Sequence, residues 1–264
     1  MAIHEALAPP FDAEALVHEV PELRLALDQG QGPFHHLDVF EHILETIRGV
    51  EKELLEGRVE VRVGEEGREG LRVGLLHDIA KPVTRGEVEG RVLFVAHDAL
   101  GARLAHKICR RLGLPARTTD LVTTLTALHL KIGFMGNPRS DYTPERLALA
   151  AGPFGEELAT LSWADRLAAQ GARLKSGHIE RHRELCIIFL RVSRKLGPYP
   201  EPDYESFAGR LKEPLEADVG YAASRVRLLE ARGVGKDKAL GHVSRLHKTN
   251  LLTTEVLHKR RGYR

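Results

Sequence analysis

Cysteine, methionine and tryptophan are scarce in this sequence, with two, two and one copies in 264 residues. The cysteines, Cys109 and Cys186, lie far apart in apolar helical contexts, and no Cys-x-x-Cys occurs. That excludes a disulfide framework and a structural zinc ribbon, and it is the cysteine usage of a cytoplasmic protein. Asparagine and glutamine are also few, against 39 Lys and Arg and 37 Asp and Glu, a balance that leans toward thermophile proteins. No apolar run approaches the length of a membrane span, so no membrane partner is expected. The first ten residues carry His4 and Glu5 and lack a basic stretch followed by an apolar one, so no secretion signal is expected. Gly-x-Gly-x-x-Gly, Gly-x-x-x-x-Gly-Lys-Ser/Thr and His-Glu-x-x-His are all missing. Nothing therefore points to a dinucleotide fold, a phosphate-loop NTPase or a zinc protease of that type.

What is present is an ordinary globular composition, 42% hydrophobic, in a chain long enough to bury a substantial core. The net charge of +2 is unevenly spread: residues 1–60 hold 13 acidic and 4 basic side chains, residues 221–264 hold 3 and 11. The end, His258-Lys259-Arg260-Arg261-Gly262-Tyr263-Arg264, makes the C-terminal region a candidate RNA contact; the plainer reading is a solvated terminus.

Helical periodicity dominates. Residues 38–55 place Val39, Ile43, Ile47, Val50 and Leu54 on one face, as an amphipathic helix requires. Further helices are predicted over 98–112, 117–130, 144–151, 154–169 and 179–195. Residues 58–63 alternate with period two, and 87–95 read as a hairpin around Glu89-Gly90. Two short extensions are too few for a sheet-based fold. The class is all-α, a helical bundle with a small β-hairpin excursion. Gly197-Pro198-Tyr199-Pro200-Glu201-Pro202 is the best boundary, dividing the chain into a domain over 1–197 and a basic C-terminal helical subdomain over 198–264.

The chemistry resides in a set of histidines and aspartates: His42, the pair His77-Asp78, His97, His129 and Asp165. Imidazole and carboxylate form a mixed nitrogen and oxygen shell suited to a divalent transition metal rather than calcium. A metal so held generates hydroxide at neutral pH and neutralises a phosphate, so the set reads as a metal-dependent phosphohydrolase. The pair alone is weak, since about 0.6 His-Asp dipeptides are expected by chance at this composition. Its setting is stronger: Gly74-Leu75-Leu76-His77-Asp78-Ile79-Ala80-Lys81-Pro82 places it in an apolar helical stretch expected to end at Pro82. A charged pair there must find partners or bear a desolvation cost.

Five motifs in this order resemble a known family. They are Gln31-Gly32-Pro33-Phe34-His35-His36-Leu37-Asp38-Val39-Phe40-Glu41-His42, then Leu75-Leu76-His77-Asp78-Ile79-Ala80-Lys81-Pro82, Phe94-Val95-Ala96-His97-Asp98-Ala99-Leu100-Gly101-Ala102, Leu128-His129-Leu130, and Leu161-Ser162-Trp163-Ala164-Asp165-Arg166-Leu167-Ala168-Ala169-Gln170-Gly171. Together they resemble the histidine-aspartate (HD) region of bacterial CCA-adding enzymes and poly(A) polymerase-like proteins, over roughly residues 20–172. Those enzymes carry a nucleotidyltransferase head before this region. Here about 20 residues precede the match, so polymerising activity is not expected, and the chain resembles a stand-alone HD phosphohydrolase.

The resemblance implies roles residue by residue. His42 is similar to the first metal ligand, His77 and Asp78 to the central pair, and Asp165 to the last ligand. His97 and His129 fall where two-metal members place further ligands, and there Asp78 would bridge. The implied cofactor is one or two divalent ions: manganese, iron, nickel or cobalt, with magnesium admissible. Asp78, Lys81, His97 and His129 are the catalytic candidates. Lys81 is the cation for the substrate phosphate, and His97 or His129 is the acid if a single metal binds. His35 and His36 are expected at the pocket entrance. His178 and His182 have clip spacing but no third partner. Lys131 and Arg139 flank 133–138, a candidate flap. The implied reaction is hydrolysis of a phosphoester in a nucleotide or RNA end, such as a 2′,3′-cyclic phosphate or a nucleoside monophosphate, by a metal-bound hydroxide. The alternative is a non-catalytic RNA-binding module derived from a tRNA nucleotidyltransferase body.

Overall fold

The computed structural model describes residues 12–135, 137, 140–173 and 175–248. The N-terminal stretch, Arg139 and the basic end at 258–264 lie outside the described residues.

Helices account for nearly all the regular structure. The α-helices are α1 (Ala13–Glu19), α2 (Val39–Glu56), α3 (Glu65–Val73), α4 (Lys81–Thr84), α5 (His97–Arg111), α6 (Ala116–Leu128), α7 (Lys131–Phe134), α8 (Pro144–Ala151), α9 (Gly155–Ala168), α10 (Ser176–Leu196), α11 (Tyr204–Ala208), α12 (Glu216–Glu230) and α13 (Lys236–Lys248). Tighter 3-10 turns occupy Pro21–Ala26, Gly74–Asp78 and Gly152–Phe154. One antiparallel hairpin, β1 (Arg85–Val88) with β2 (Arg91–Phe94), pairs Val88 with Arg91 and Arg85 with Phe94. Its turn is Glu89-Gly90, both at positive φ (49° and 72°), the backbone that a two-residue hairpin loop needs.

The start of α2 follows from local chemistry. Asp38 caps it, its carboxylate accepting from the Glu41 amide at 2.8 Å, and Gly57 ends it in the left-handed conformation. Such a cap contributes about 1 kcal/mol. The apolar face of α2, including Val39, Phe40, Ile43, Ile47 and Val50, is fully buried and packs along α9. A Cβ at Gly49 would lie 3.3 Å from the Cβ of Ala164, so the two helices run close together one residue before Asp165. On the other side α5 packs on α6, and α6 on α12. The 3-10 turn at Gly74–Asp78 is buried among α2, α5 and α6.

Two expectations need correction. Residues 58–63 form no strand. Their amides are taken by side chains instead: Val59 N–H donates to Glu53 at 2.6 Å and Arg62 N–H to Glu156 at 3.0 Å. Pro82 does not end a helix. It stands in the first turn of α4, where its missing N–H costs nothing, and the His-Asp pair occupies a 3-10 turn just before it.

Beyond Gly197 a smaller apolar cluster forms around Leu211, Val219, Tyr221, Val226, Leu240 and Val243, joined to α6 through Ala116. Ala217, Leu228 and Ala231 of the same region belong to the main core. Asp120 on α6, fully buried, accepts two bonds from the Arg227 guanidinium of α12, at 2.6 and 3.1 Å.

Candidate metal centre

Five separate segments deliver the six residues singled out in the sequence. His42 comes from the buried face of α2, His77 and Asp78 from the 3-10 turn, His97 from the first position of α5, His129 from the end of α6 and Asp165 from α9. All are buried except Asp165, whose side chain is 17% exposed. They gather in two clusters sharing one residue. In each, the ligating atoms lie within 4.8 Å of one another: His42, His77, Asp78 and Asp165 form the first, Asp78, His97 and His129 the second.

Asp78 divides its oxygens between them. Oδ2 faces His77 Nε2 at 3.3 Å and His42 Nε2 at 3.4 Å. Oδ1 faces His97 Nε2 at 3.4 Å and His129 Nε2 at 3.6 Å. Asp165 Oδ1 lies 2.9 Å from His42 Nε2. Asp78 thus turns one oxygen to each cluster.

The imidazoles are oriented by the backbone. His77, His97 and His129 each direct Nδ1 at the carbonyl three residues earlier: Gly74 at 2.9 Å, Phe94 at 2.7 Å and Thr126 at 2.8 Å. A carbonyl only accepts, so Nδ1 carries the proton and Nε2 turns its lone pair inward. Three such Nε2 atoms, with Asp78 Oδ1, are shut away from solvent without a hydrogen-bond partner, while Asp78 Oδ2 meets the Lys81 ammonium at 2.6 Å. At roughly 1–3 kcal/mol per unsatisfied buried group, these four cost roughly 4–12 kcal/mol, a large share of the net stability of a whole domain. A buried cluster lined by lone pairs fits divalent cations, which such imidazole and carboxylate atoms ligate.

Charge within the cluster is organised accordingly. Burial pushes the Asp78 carboxyl up, but the Lys81 ammonium and the imidazoles of His77 and His42 hold it well below the usual carboxylate range. Burial likewise opposes ionisation of Asp165, and the bond to His42 overcomes it. For His42, burial favours the neutral ring, yet Asp165 and Asp78 raise its pKa. Burial lowers His129 to about 4 against the pull of Asp78, so that ring is neutral at pH 7.

Lys81 Nζ lies 2.6 Å from Asp78 Oδ2 and donates to Gln31 Oε1 at 2.6 Å. Gln31 is held in turn, donating to the carbonyls of Asp38 and Leu37. Its part in the site was not legible in the sequence, where Gln31 is merely one letter of a motif. Above the cluster opens a cavity of about 260 Å³, lined by Phe34, His35, Lys81, Phe94 and Arg166 among others. His35 reaches it, edge-on to His42 at 4.7 Å between ring centres; His36 is exposed and does not line it. Burial, then the nearby Lys81 charge, lowers His35 to about 3.

The remaining expectations resolve differently. His182 is buried against Ser162, 3.1 Å from its hydroxyl and 3.0 Å from its carbonyl, and forms no cluster with His178. Lys131 is bound by Asp98 at 2.6 Å. Of the candidate flap at 133–138, Gly133 and Phe134 belong to α7, and Gly136 and Pro138, like Arg139, lie outside the described residues. Among the described residues no helix is long and apolar enough to cross a membrane.

Comparison with known proteins agrees with this geometry. Residues 39–170 match the model of the HD domain. An A-adding tRNA nucleotidyltransferase of Deinococcus radiodurans is 36% identical over 155 residues, covering 58% of this chain and 32% of that protein. Bifunctional uridylyltransferase/uridylyl-removing enzymes are also similar. The one from Nitrobacter winogradskyi is 33% identical over 115 residues, 40% of this chain and 11% of its own length. The one from Azospirillum brasilense is 34% identical over 132 residues, 47% and 13% respectively. The similarity thus spans a third or less of each relative.

Proposed function

The chain belongs to the HD-domain family, within a superfamily of metal-dependent phosphohydrolases, and from that premise we propose that it hydrolyses a phosphoester in a nucleotide or at an RNA end. The observation that carries the reading is the pair of clusters sharing Asp78, with three imidazole lone pairs and Asp78 Oδ1 turned inward and unpartnered. In this proposal His42, His77, Asp78 and Asp165 hold one divalent cation, and Asp78, His97 and His129 a second. Such cations acidify water and offset charge on a phosphoester. The mixed shell favours manganese, iron, cobalt or nickel over magnesium, which prefers oxygen throughout.

The chain's own groups do the rest. Asp78 gives one oxygen to each cluster and fixes their separation. Lys81, held by Gln31 beside Asp78, meets charge that develops on the phosphate. His129, neutral at pH 7, is better suited to a ligand role than to proton donation, which leaves His97 as the acid candidate should a single cation bind.

The substrate class rests on the relatives. Their names, a tRNA nucleotidyltransferase and uridylyl-removing enzymes, point to nucleotidyl groups, and a 2′,3′-cyclic phosphate or a nucleoside monophosphate is the candidate substrate. In this reading residues 198–264 form a C-terminal helical subdomain, and its basic end contacts RNA. The test is a panel of nucleoside monophosphates, 2′,3′-cyclic nucleotides and chromogenic phosphodiesters assayed with each divalent metal. Turnover that chelator abolishes and manganese, cobalt or nickel restores supports hydrolysis. No turnover from a metal-loaded protein that still binds RNA would favour the non-catalytic RNA-binding module instead.

A further inference from the structure

Two cationic side chains, Lys81 and Arg166, line the cavity above Asp78, and among the described residues only Lys81 has an ion-pair partner. Lys81 is taken up by Asp78 and Gln31. Arg166, one residue past Asp165 in the last turn of α9, is half-buried. Its Nε is shut away from solvent with no acceptor. Among the described residues no carboxylate pairs with it and no acceptor takes its guanidinium N–H groups. Three other arginines are matched by carboxylates: Arg111 with Glu22, Arg194 with Glu156, Arg227 with Asp120. A guanidinium left unpaired at a cavity wall is suited to a phosphate, whose oxygens match its fork of donors.

The cavity also has an aromatic wall that packing does not explain. Phe34 lines it yet is 48% exposed. Its placement is built by backbone: Gly171 N–H donates to the Phe34 carbonyl at 2.9 Å and Arg173 N–H to the Pro33 carbonyl at 3.0 Å. The contact admits only glycine at 171, because a Cβ there would lie 2.2 Å from the Phe34 carbonyl carbon. The strap therefore ties Phe34 to the chain just after α9, close in sequence to Arg166 and Ala169, and both line the same cavity. Leu93 of β2, 41% exposed, adds apolar surface. At about 260 Å³ the space lies just below the usual range of ligand pockets, which limits an occupant to one nucleotide unit at most.

We infer that Phe34 and Arg166 form a nucleotide subsite beside the metal centre, Phe34 stacking the base and Arg166 binding a phosphate oxygen. The inference rests on the phosphohydrolase reading and narrows it to substrates with a base near the reacting phosphate.

Calorimetry of the full chain in chelator, with adenosine 5′-monophosphate, adenosine and inorganic phosphate as ligands, tests it without turnover. Phe34→Ala should weaken adenosine binding about tenfold, as loss of one base–aromatic stack does, and leave phosphate binding unchanged; Phe34→Tyr should restore it. Arg166→Gln should weaken the monophosphate about tenfold or more and leave adenosine unchanged. Arg166→Lys, a gentler change, should give an intermediate loss, and it decides the matter if the Gln variant melts without cooperativity. Wild-type affinity for the monophosphate in a folded Arg166 variant, or for adenosine in Phe34→Ala, would overturn the subsite. Metal content and chromogenic phosphodiester hydrolysis of the wild-type chain report separately on the phosphohydrolase reading.

Discussion

Lys81 Nζ lies 2.6 Å from Asp78 Oδ2, and both side chains are buried. In the metal-free protein the ammonium thus supplies positive charge at the carboxylate shared by both clusters. Removing one partner of a buried pair typically costs about 3–5 kcal/mol. Lys81→Met should therefore lower the melting temperature of the chelator-treated protein by roughly 10 °C for a chain of this size. Saturating manganese should recover most of that loss, because the cation replaces the missing charge. An equal deficit with and without manganese would mean that Lys81 acts through packing alone.

Glu157 gives a pH signature away from the metal centre. It is buried, its Oε2 has no partner, and burial raises its pKa from 4.5 to about 7. A carboxyl with a raised folded pKa retains a proton that the unfolded chain releases, so stability falls as pH rises from 4.5 through 7. Glutamine mimics the protonated form. Glu157→Gln should match wild type near pH 4.5 and exceed it at pH 8 by on the order of 2–3 kcal/mol. Parallel stability curves for the two proteins from denaturant titrations across this range would contradict the assignment.

Much of the centre was legible because its chemistry is local in type and ordered along the chain. His42, the His77-Asp78 pair, His97, His129 and Asp165 stand out as buried-context imidazoles and carboxylates, and the fold brings all six together. The hairpin was legible from Glu89-Gly90, whose two positive φ values are a turn property. What could not be read depends on contacts across long sequence separations. Gln31 reaches Lys81 over 50 residues, the strap joins 33–34 to 171–173, and Asp120 meets Arg227 over 107. Residues 58–63 misled because strand-like alternation is also produced by an irregular segment whose alternate side chains are buried, as Val59 is.

The Asp120–Arg227 pair also decides how the basic C-terminal region is best tested. Cutting the chain after Gly197 would strip a buried carboxylate of its partner, so the charge should be changed within the full chain. If the basic end contacts RNA, combined Lys259→Ala, Arg260→Ala and Arg261→Ala should flatten the salt dependence of single-strand binding by about two units of log–log slope. An unchanged slope would remove this region from the interface.

The central claim, two cation positions sharing Asp78, is tested most directly by counting metal ions. Chelator-stripped protein titrated with manganese, with bound metal measured after equilibrium dialysis, should take up two ions per chain. Changing either His97 or His129 to Ala should leave one, held by His42, His77, Asp78 and Asp165, and Asp78→Ala should leave none. A folded wild-type protein that takes up no manganese, cobalt or nickel at micromolar concentrations, or a folded Asp78→Ala variant with full metal content, would contradict the account.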